Sequence, residues 1–169
     1  MVAAGSTRRR QVVGWLLVLG LIVAIRLWVT HPERVGGDSM SPTLHAGDVV
    51  LTVRAGLLRS LDPLQRGDLV TFDDPQGPGR VVKRVVGLAA DQVSIEDAVL
   101  VVNGRPVVEP YVDAASIDGV YYGPVSVPAG QLLAMGDNRA SSIDSRQFGP
   151  VSQNALAGRV VLRLWPWWR

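Results

Sequence analysis

A long uncharged apolar segment near the N-terminus restricts the possible folds of this chain more than any other feature. Residues 12–25 contain no charged side chain, and the apolar character resumes after Arg26. Taken as residues 11–29, the segment forms a helix of about 28 Å at ~1.5 Å per residue, enough to span the core of a bilayer. The sequence therefore predicts a cytoplasmic N-terminus at 1–10, a transmembrane anchor at 11–29 and one domain at 30–169.

The orientation of the anchor follows from the charges that flank it. Arg8, Arg9 and Arg10 precede the apolar segment, and the positive-inside rule places that end in the cytoplasm. A cleaved signal peptide is the alternative, but residues 26–32 offer no pair of small residues for cleavage. We therefore expect an uncleaved single-pass anchor in the lipid bilayer, with the following domain on the outer face of the cell membrane.

Composition excludes several classes of function. Residues 31–169 carry 13 basic and 15 acidic side chains, so the net positive charge of the whole chain comes from the N-terminal segment. Nucleic-acid binding is therefore not indicated. The chain has no cysteine, which rules out disulfides and thiolate chemistry. Its two histidines, His31 and His45, are too few for a three-histidine zinc site. We expect no metal and no cofactor, and the sequence does not imply an oligomer.

After residue 31 the chain consists of short Val-rich segments separated by Gly, Pro and Asp. This pattern predicts strands at Asp48–Val53, Asp68–Phe72, Arg80–Leu88, Gln92–Ile95, Val99–Val102, Val120–Val127, Gln131–Met135 and Arg159–Leu164. Leu57–Leu61 is the one brief helix predicted in this region, and Asp113–Gly123 is predicted to be a mobile loop. The fold class expected from the pattern is an all-β, barrel-like domain that follows the transmembrane helix.

Three tryptophans lie close together at the C-terminus. Trp165, Trp167 and Trp168 either cover the core at the end of a strand or lie at the membrane interface, where Trp is enriched. The sequence favours the interface, because Arg163 and Arg169 accompany the tryptophans.

Lys83 is the only lysine among seventeen basic residues. Guanidinium does not lose its proton in proteins, whereas a buried ammonium can be neutral near pH 7 and act as a base. In a strand, Lys83 shares its face with Val81 and Val85, an apolar setting that lowers a lysine pKa. Ser39 lies in a Gly-rich turn 44 residues earlier, so the two form a candidate nucleophile and base. A surface lysine on an edge strand is the alternative.

A third segment, residues 136–149, follows an apolar strand and is rich in groups that hydrogen-bond locally. Asp144 and Arg146 can pair and fix the loop, and a hydroxyl in this segment can orient the lysine. An ordinary polar loop is the alternative.

Together these segments resemble the type I signal peptidase family, the membrane-anchored Ser/Lys endopeptidases of bacteria (peptidase S26). The resemblance covers essentially the whole chain and is closest to the smaller members of the family. It is carried by five ordered motifs: Gly37-x-Ser39-Met40-x-Pro42-Thr43-Leu44, Gly47-Asp48-Val49-Val50, Arg66-Gly67-Asp68-Leu69-Val70, Lys83-Arg84-Val85-Val86-Gly87, and Gly136-Asp137-Asn138-Arg139 with Ser142-x-Asp144-Ser145-Arg146.

The resemblance implies a function and a role for each matched residue. The expected activity is removal of N-terminal signal peptides from exported preproteins after an Ala-x-Ala site. Ser39 is implied as the nucleophile, with its backbone N–H in the oxyanion hole, and Lys83 as the general base. Ser142 is implied to hold the Lys83 amine, and Asp144 and Arg146 to support the site.

The substrate pockets implied by the resemblance are small and apolar. Some family members carry a serine at position 37 whose hydroxyl completes the oxyanion hole. Gly37 stands there in this chain, so a backbone group or a water must supply the second donor. The residues expected to contact substrate are Val35, Gly37, Met40, Leu44, Val81 and Val82.

Other interpretations stay open from the sequence alone. His45 could serve as the base in place of Lys83, and Arg66-Gly67-Asp68 spells an adhesion tripeptide that also suits a turn into a strand. A conjugal-transfer processing peptidase, another Ser/Lys peptidase with the same β-core, also stays open. A self-cleaving repressor would lack the anchor, and an inactive binding module should have lost part of the Ser39, Lys83 and Ser142 set.

Overall fold

The computed structural model describes residues 4–56, 62–112 and 121–166. It begins with a helix, Ala4–Val29, which includes the whole of the predicted segment 11–29. Within the described part of the chain, no helix meets the combined length and apolarity needed to cross a membrane. The anchor therefore stays a prediction from sequence.

The rest of the described chain is mainly β-sheet. Its strands are β1 Thr30–Arg34, β2 Val49–Arg54, β3 Leu69–Asp73, β4 Arg80–Leu88, β5 Gln92–Glu96, β6 Val99–Val102, β7 Arg105–Pro106, β8 Tyr122–Ser126, β9 Gln131–Met135, β10 Val151–Ser152 and β11 Leu156–Trp165. All eight predicted strands are present, and the bounds of β4, β6 and β9 agree with the prediction. The prediction missed β1, β7 and β10.

The strands form two antiparallel sheets. One has seven strands in the order β1-β2-β11-β3-β4-β9-β10, and the other has four in the order β7-β6-β5-β8. The barrel-like prediction is correct only in its β-rich character, because the described strands do not close into a barrel. Closure needs the two edge strands to pair, and β10 has only two residues, which pair with β9.

Three apolar clusters hold these sheets together. The first packs around Phe72 and Val85, and the second fills the space between the sheets around Leu133 and Val93. The third lies under the turn after β1 and consists of Val35, Met40, Leu44 and Val50, with Leu69, Val82 and Val160 against it. This third cluster fixes the segment that carries Ser39.

Strand β4 lies near the centre of the larger sheet and pairs with β3 on one side and β9 on the other. Its Val-rich sequence suits a strand that is buried on both faces. Val81 and Val85 both pack on the first cluster, as alternation along a strand requires. Lys83 lies between them in sequence, so its side chain leaves the strand on the face that packs against this cluster.

Several predictions fall outside the described residues. The short helix expected at Leu57–Leu61 lies there, as do Trp167 and Trp168. Most of the loop expected at Asp113–Gly123 lies there too, and β8 begins at Tyr122.

Candidate active site

Ser39 lies in the turn that joins β1 to β2. The Asp38 carbonyl accepts a hydrogen bond from Ser41 N at 3.1 Å, and the Asp38 carboxylate accepts one from Ala46 N at 2.9 Å. The next side chain, Met40, is completely buried in the third cluster. Because Met40 is held inside, the neighbouring Ser39 is fixed at the surface of the domain, where it is half-buried.

Lys83 is 2% exposed, and its amine donates a hydrogen bond to Ser142 Oγ at 2.9 Å. Burial lowers the pKa of Lys83 below its usual value of 10.5, while the nearby carboxylates of Asp144, Asp74 and Asp137 raise it and Arg146 lowers it. The desolvation effect is the largest, since burial penalises the charged amine. Lys83 is therefore disposed to lose its proton more readily than a surface lysine.

Asp144 and Arg146 form the ion pair expected from the sequence. Arg146 Nε donates to Asp144 Oδ1 at 2.9 Å, and Asp144 also caps the one-turn helix Ser145–Phe148 through a capping box. Arg146 Nη2 donates to the carbonyls of Arg139 at 2.6 Å and Ser142 at 3.3 Å. The pair thus ties both ends of the loop that carries Ser142.

The charge on Asp144 is stabilised although the side chain is fully buried. Burial raises its pKa, but hydrogen bonds from Arg146 and from the Gly136 amide outweigh that effect and hold it below the usual 3.8. The Gly136 bond measures 3.0 Å. Asp144 is therefore an anion across the neutral range, placed where its field acts on Lys83.

Gly136 is the point at which the three predicted segments meet. A Cβ built there would clash with Ser142 Oγ and with the Ser39 carbonyl oxygen, and would lie 2.5 Å from Ser142 Cβ. The adjoining Asn138 N also donates to the Ser39 carbonyl at 3.1 Å. Since Lys83 is bonded to Ser142, this glycine brings the serine turn, the lysine strand and the polar loop together.

A buried ion pair that the sequence analysis did not predict supports the same junction. Arg84 Nε and Nη2 donate to Asp137 at 2.8 and 2.6 Å, and Thr43 Oγ1 donates to Asp137 Oδ2 at 2.5 Å. The Arg84 guanidinium also lies 3.7 Å from the Tyr111 ring centroid. A bidentate, aromatic-stacked arginine links the lysine strand, the serine turn and the polar loop.

A second unpredicted pair lies beside the first. Arg139 Nη2 donates to Glu109 Oε1 at 2.5 Å, and Tyr111 OH donates to the same oxygen at 3.0 Å. Both charged side chains of the pair are less than 8% exposed. No local sequence pattern predicted these networks, because Arg84 lies inside β4 and Asp137 follows the end of β9.

A cleft of about 700 Å³ opens beside Ser39. Five of the six residues expected to contact substrate line it: Val35, Gly37, Met40, Val81 and Val82. Leu44 is 3% exposed and borders a separate depression with Leu69 and Val160. Lys83 is not among the lining residues of the cleft, which agrees with its burial.

The residues of the alternative interpretations contact residues other than Ser39. His45 Nε2 is 3.5 Å from Ser41 Oγ, and the described residues include no hydrogen bond between His45 and Ser39. Arg66 pairs with Asp91 at 2.7 Å, and Asp68 accepts from Arg159 at 3.1 Å, so the adhesion tripeptide is engaged within the domain. The described residues contain no group of three or more His, Asp or Glu placed to hold a metal.

Comparison with known proteins first gives the class. Residues 8–165 match the family model described as signal peptidase, peptidase S26, which makes the chain a serine peptidase. Signal peptidase I from Bacillus caldolyticus is 34% identical over 164 residues, covering 90% of this chain and 88% of the relative. Signal peptidase I S from Bacillus subtilis is 32% identical over 180 residues, covering 98% and 96%.

A solved structure agrees with these relatives. The crystal structure of a signal peptidase I from Enterococcus faecalis V583 is similar with a TM-score of 0.52 and 32% identity, over 59% of this chain and 97% of that one. With the family model and the relatives, this shows that the chain belongs to the signal peptidase I family. The mostly β-sheet fold is that of the family.

Proposed function

We propose that this chain is a membrane-bound endopeptidase that cleaves signal peptides from exported preproteins after an Ala-x-Ala site, with Ser39 as nucleophile and Lys83 as general base. The proposal rests on the buried hydrogen bond between Lys83, the only lysine, and Ser142. Both Ser142 and the Ser39 carbonyl lie close to Gly136. A serine made reactive by a neutral lysine is an established form of activated nucleophile.

The first half of the reaction acylates Ser39. Its Oγ attacks the scissile carbonyl while the neutral Lys83 amine takes the hydroxyl proton, and the same amine then protonates the departing amino group. Ser142, which accepts a hydrogen bond from the amine, limits the rotation of Lys83. Lys83 and Ser39 share no hydrogen bond in the described residues, and such bonds commonly tighten only when substrate is bound.

The second half removes the acyl group. Lys83, again neutral, takes a proton from a water that attacks the ester, and Ser39 leaves with that proton. The anionic oxygen of each tetrahedral intermediate needs donors, and the Ser39 amide makes no hydrogen bond within the described residues. We assign it the oxyanion role; the second donor is a backbone group or a water, because Gly37 has no side chain.

Substrate recognition is assigned to the cleft. Its lining near Ser39 is apolar, with Val35, Met40, Val81 and Val82. Among the described strands, residues 80–83 of β4 pair with β3 on one edge only, since pairing with β9 begins at Arg84. An extended peptide can lie along this open edge, with small side chains in the apolar part of the cleft.

The membrane location belongs to the same proposal and is supported by sequence and surface. Residues 11–29 supply the predicted anchor. At the end of β11, Val161, Leu162, Leu164 and Trp165 are all more than a third exposed, an apolar patch that is interrupted only by Arg163 and is unusual in water. This apolar strand end suits contact with the membrane interface, as predicted for the C-terminal tryptophans.

The test of the proposed function is cleavage of a preprotein with an Ala-x-Ala site by the purified full chain in detergent. We expect wild type to cleave after the second alanine and Ser39→Ala to be inactive. Ser41→Ala is the matched control, because it removes a neighbouring hydroxyl whose one side-chain hydrogen bond among the described residues is with His45. Equal loss in both variants, or cleavage by Ser39→Ala, contradicts the assignment of Ser39.

The pH dependence of kcat/KM tests the base. Lys83 must be neutral to act, so activity is expected to fall as the pH drops through its pKa, which burial lowers below 10.5. The profile should be measured from about pH 5 to 10, with thermal unfolding recorded in the same buffers. Asp144, whose pKa is below 3.8, loses its stabilising charge only at lower pH. Activity that stays constant down to the pH of unfolding contradicts a lysine base.

A further inference from the structure

The end of the cleft away from Ser39 is lined by charged side chains. Glu33 and Arg34 come from the end of β1, Asp73 from the end of β3 and Arg80 from the start of β4. Arg80 bridges the two acids, with Nη1 donating to Glu33 at 2.8 Å and Nε to Asp73 at 3.4 Å. The cleft therefore changes from apolar beside the serine to charged at its far end.

The four charged side chains of this region sum to zero, but the hydrogen-bond donors left without a partner among the described residues belong to the two arginines. Glu33 is 12% exposed and already contacts His31 at 2.8 Å as well as Arg80. Asp73 is 87% exposed and its contact with Arg80 is long, so this pair contributes little and is readily exchanged. Arg80 Nη2 and the exposed Arg34 side chain have no hydrogen-bond partner within the described residues.

The spacing along β4 relates these cations to the scissile bond. Arg80 precedes Lys83 by three residues, which is about 10 Å along a strand. A peptide lying along the open edge, with its scissile carbonyl near Lys83, has residues three to five positions away beside Arg80. The side chain of Arg80 extends beyond its own place on the strand, which favours contact with the fourth and fifth residues from the scissile bond.

The direction of the peptide follows from the course of the chain. The N-terminal helix leads into β1, and β1 leads to Ser39. A signal peptide whose apolar part lies beside that helix approaches Ser39 in the same direction. Residues before the scissile bond then lie next to Glu33 and Arg80, and residues after it lie beyond Ser39.

We propose that Arg80 is a specificity-determining residue that favours preproteins with an aspartate or glutamate four or five positions before the cleavage site. The substrate carboxylate accepts a hydrogen bond from Arg80 Nη2, which has no partner among the described residues, and the exposed Arg34 side chain lies in the same part of the cleft. This inference rests on the proposed function and narrows its substrate class.

The experiment uses peptides that share an Ala-x-Ala site and carry Asp, Asn or Lys at the fourth or fifth position before the scissile bond. For wild type, kcat/KM is expected to be about three-fold higher for Asp than for Asn and lowest for Lys, the size of effect usual for an exposed ion pair. Arg80→Gln should abolish the preference, and Arg80→Glu should reverse it. Arg105→Gln, an exposed arginine outside the cleft, should keep it.

High salt gives an independent readout, since about 1 M salt shortens the screening length to about 3 Å and should reduce the preference. Equal wild-type rates on the three peptides overturn the role of Arg80, and so does a preference that survives in Arg80→Gln. If wild type but not Ser39→Ala cleaves all three peptides at equal rates, the peptidase function stands while the specificity inference fails. No cleavage of any peptide overturns both.

Discussion

Replacing Lys83 by arginine is expected to lower kcat by about 10²–10⁴, the usual contribution of a positioned general base. Arginine keeps the positive charge and the length of the side chain, but its guanidinium does not deprotonate. The site would then hold a permanent cation where the reaction needs a neutral amine. Single-turnover cleavage of the preprotein measures the effect on the chemical step.

A second variant separates catalysis from folding. Arginine at a 2%-exposed position introduces a buried charge, which can destabilise the domain by itself. Lys83→Met keeps a long unbranched side chain without charge, so it should fold and be equally inactive. Substantial cleavage by either folded variant contradicts the lysine base, and His45 is then the first residue to replace.

A serine-directed acylating inhibitor provides a further check on the same pair. We expect it to label Ser39 in wild type and to react far more slowly with Lys83→Met, because the hydroxyl has lost its proton acceptor. Labelling of the variant at the wild-type rate would mean that Ser39 is activated by some other group.

Gly136→Ala is expected to lower kcat by about 10², because a misplacement of about 1 Å among reacting groups costs that much. The added methyl group meets Ser142 on one side and the Ser39 carbonyl on the other. The Ser39 carbonyl is backbone and cannot rotate away, so the serine turn must move relative to Lys83. Overpacking of this kind also costs about 1–3 kcal/mol of stability.

Gly56→Ala is the matched control for this change. Among the described residues, a Cβ there has nothing within 4 Å, and its backbone is outside the left-handed region, so activity and unfolding temperature should stay close to wild type. The measurements are kcat, KM and the thermal unfolding midpoint of both variants. Wild-type kcat in folded Gly136→Ala would show that the three segments do not need this close approach.

The strands that were predicted correctly are those whose own residues show a strand pattern, such as a Val-rich run bounded by glycine. Strand β4 is a Val-rich run with Gly79 before it, and its predicted bounds hold. Strand β1 was missed because its sequence, Thr30-His31-Pro32-Glu33-Arg34, does not alternate between apolar and polar residues and has few β-branched residues. It forms because β2 offers an open edge, and Pro32 is tolerated at the border of a sheet.

The same distinction applies to the candidate site. Ser39, Lys83 and Ser142 stand out in local motifs, and the structure brings their segments together at Gly136. The Arg84–Asp137 pair spans 53 residues in sequence and had no local signal, since an arginine after a lysine in a strand usually faces solvent. Only the packing of β9 beside β4 shows that these two side chains must meet inside the domain.

The buried amine of Lys83 has one more consequence, because it is the only lysine side chain in the molecule. Incorporation of ¹⁵N-labelled lysine gives a single side-chain nitrogen resonance that needs no assignment. Its chemical shift reports whether that amine carries a proton, and whether a bound peptide changes that state. Because no other lysine contributes a signal, the wild-type protein can be used without mutation to observe this one site.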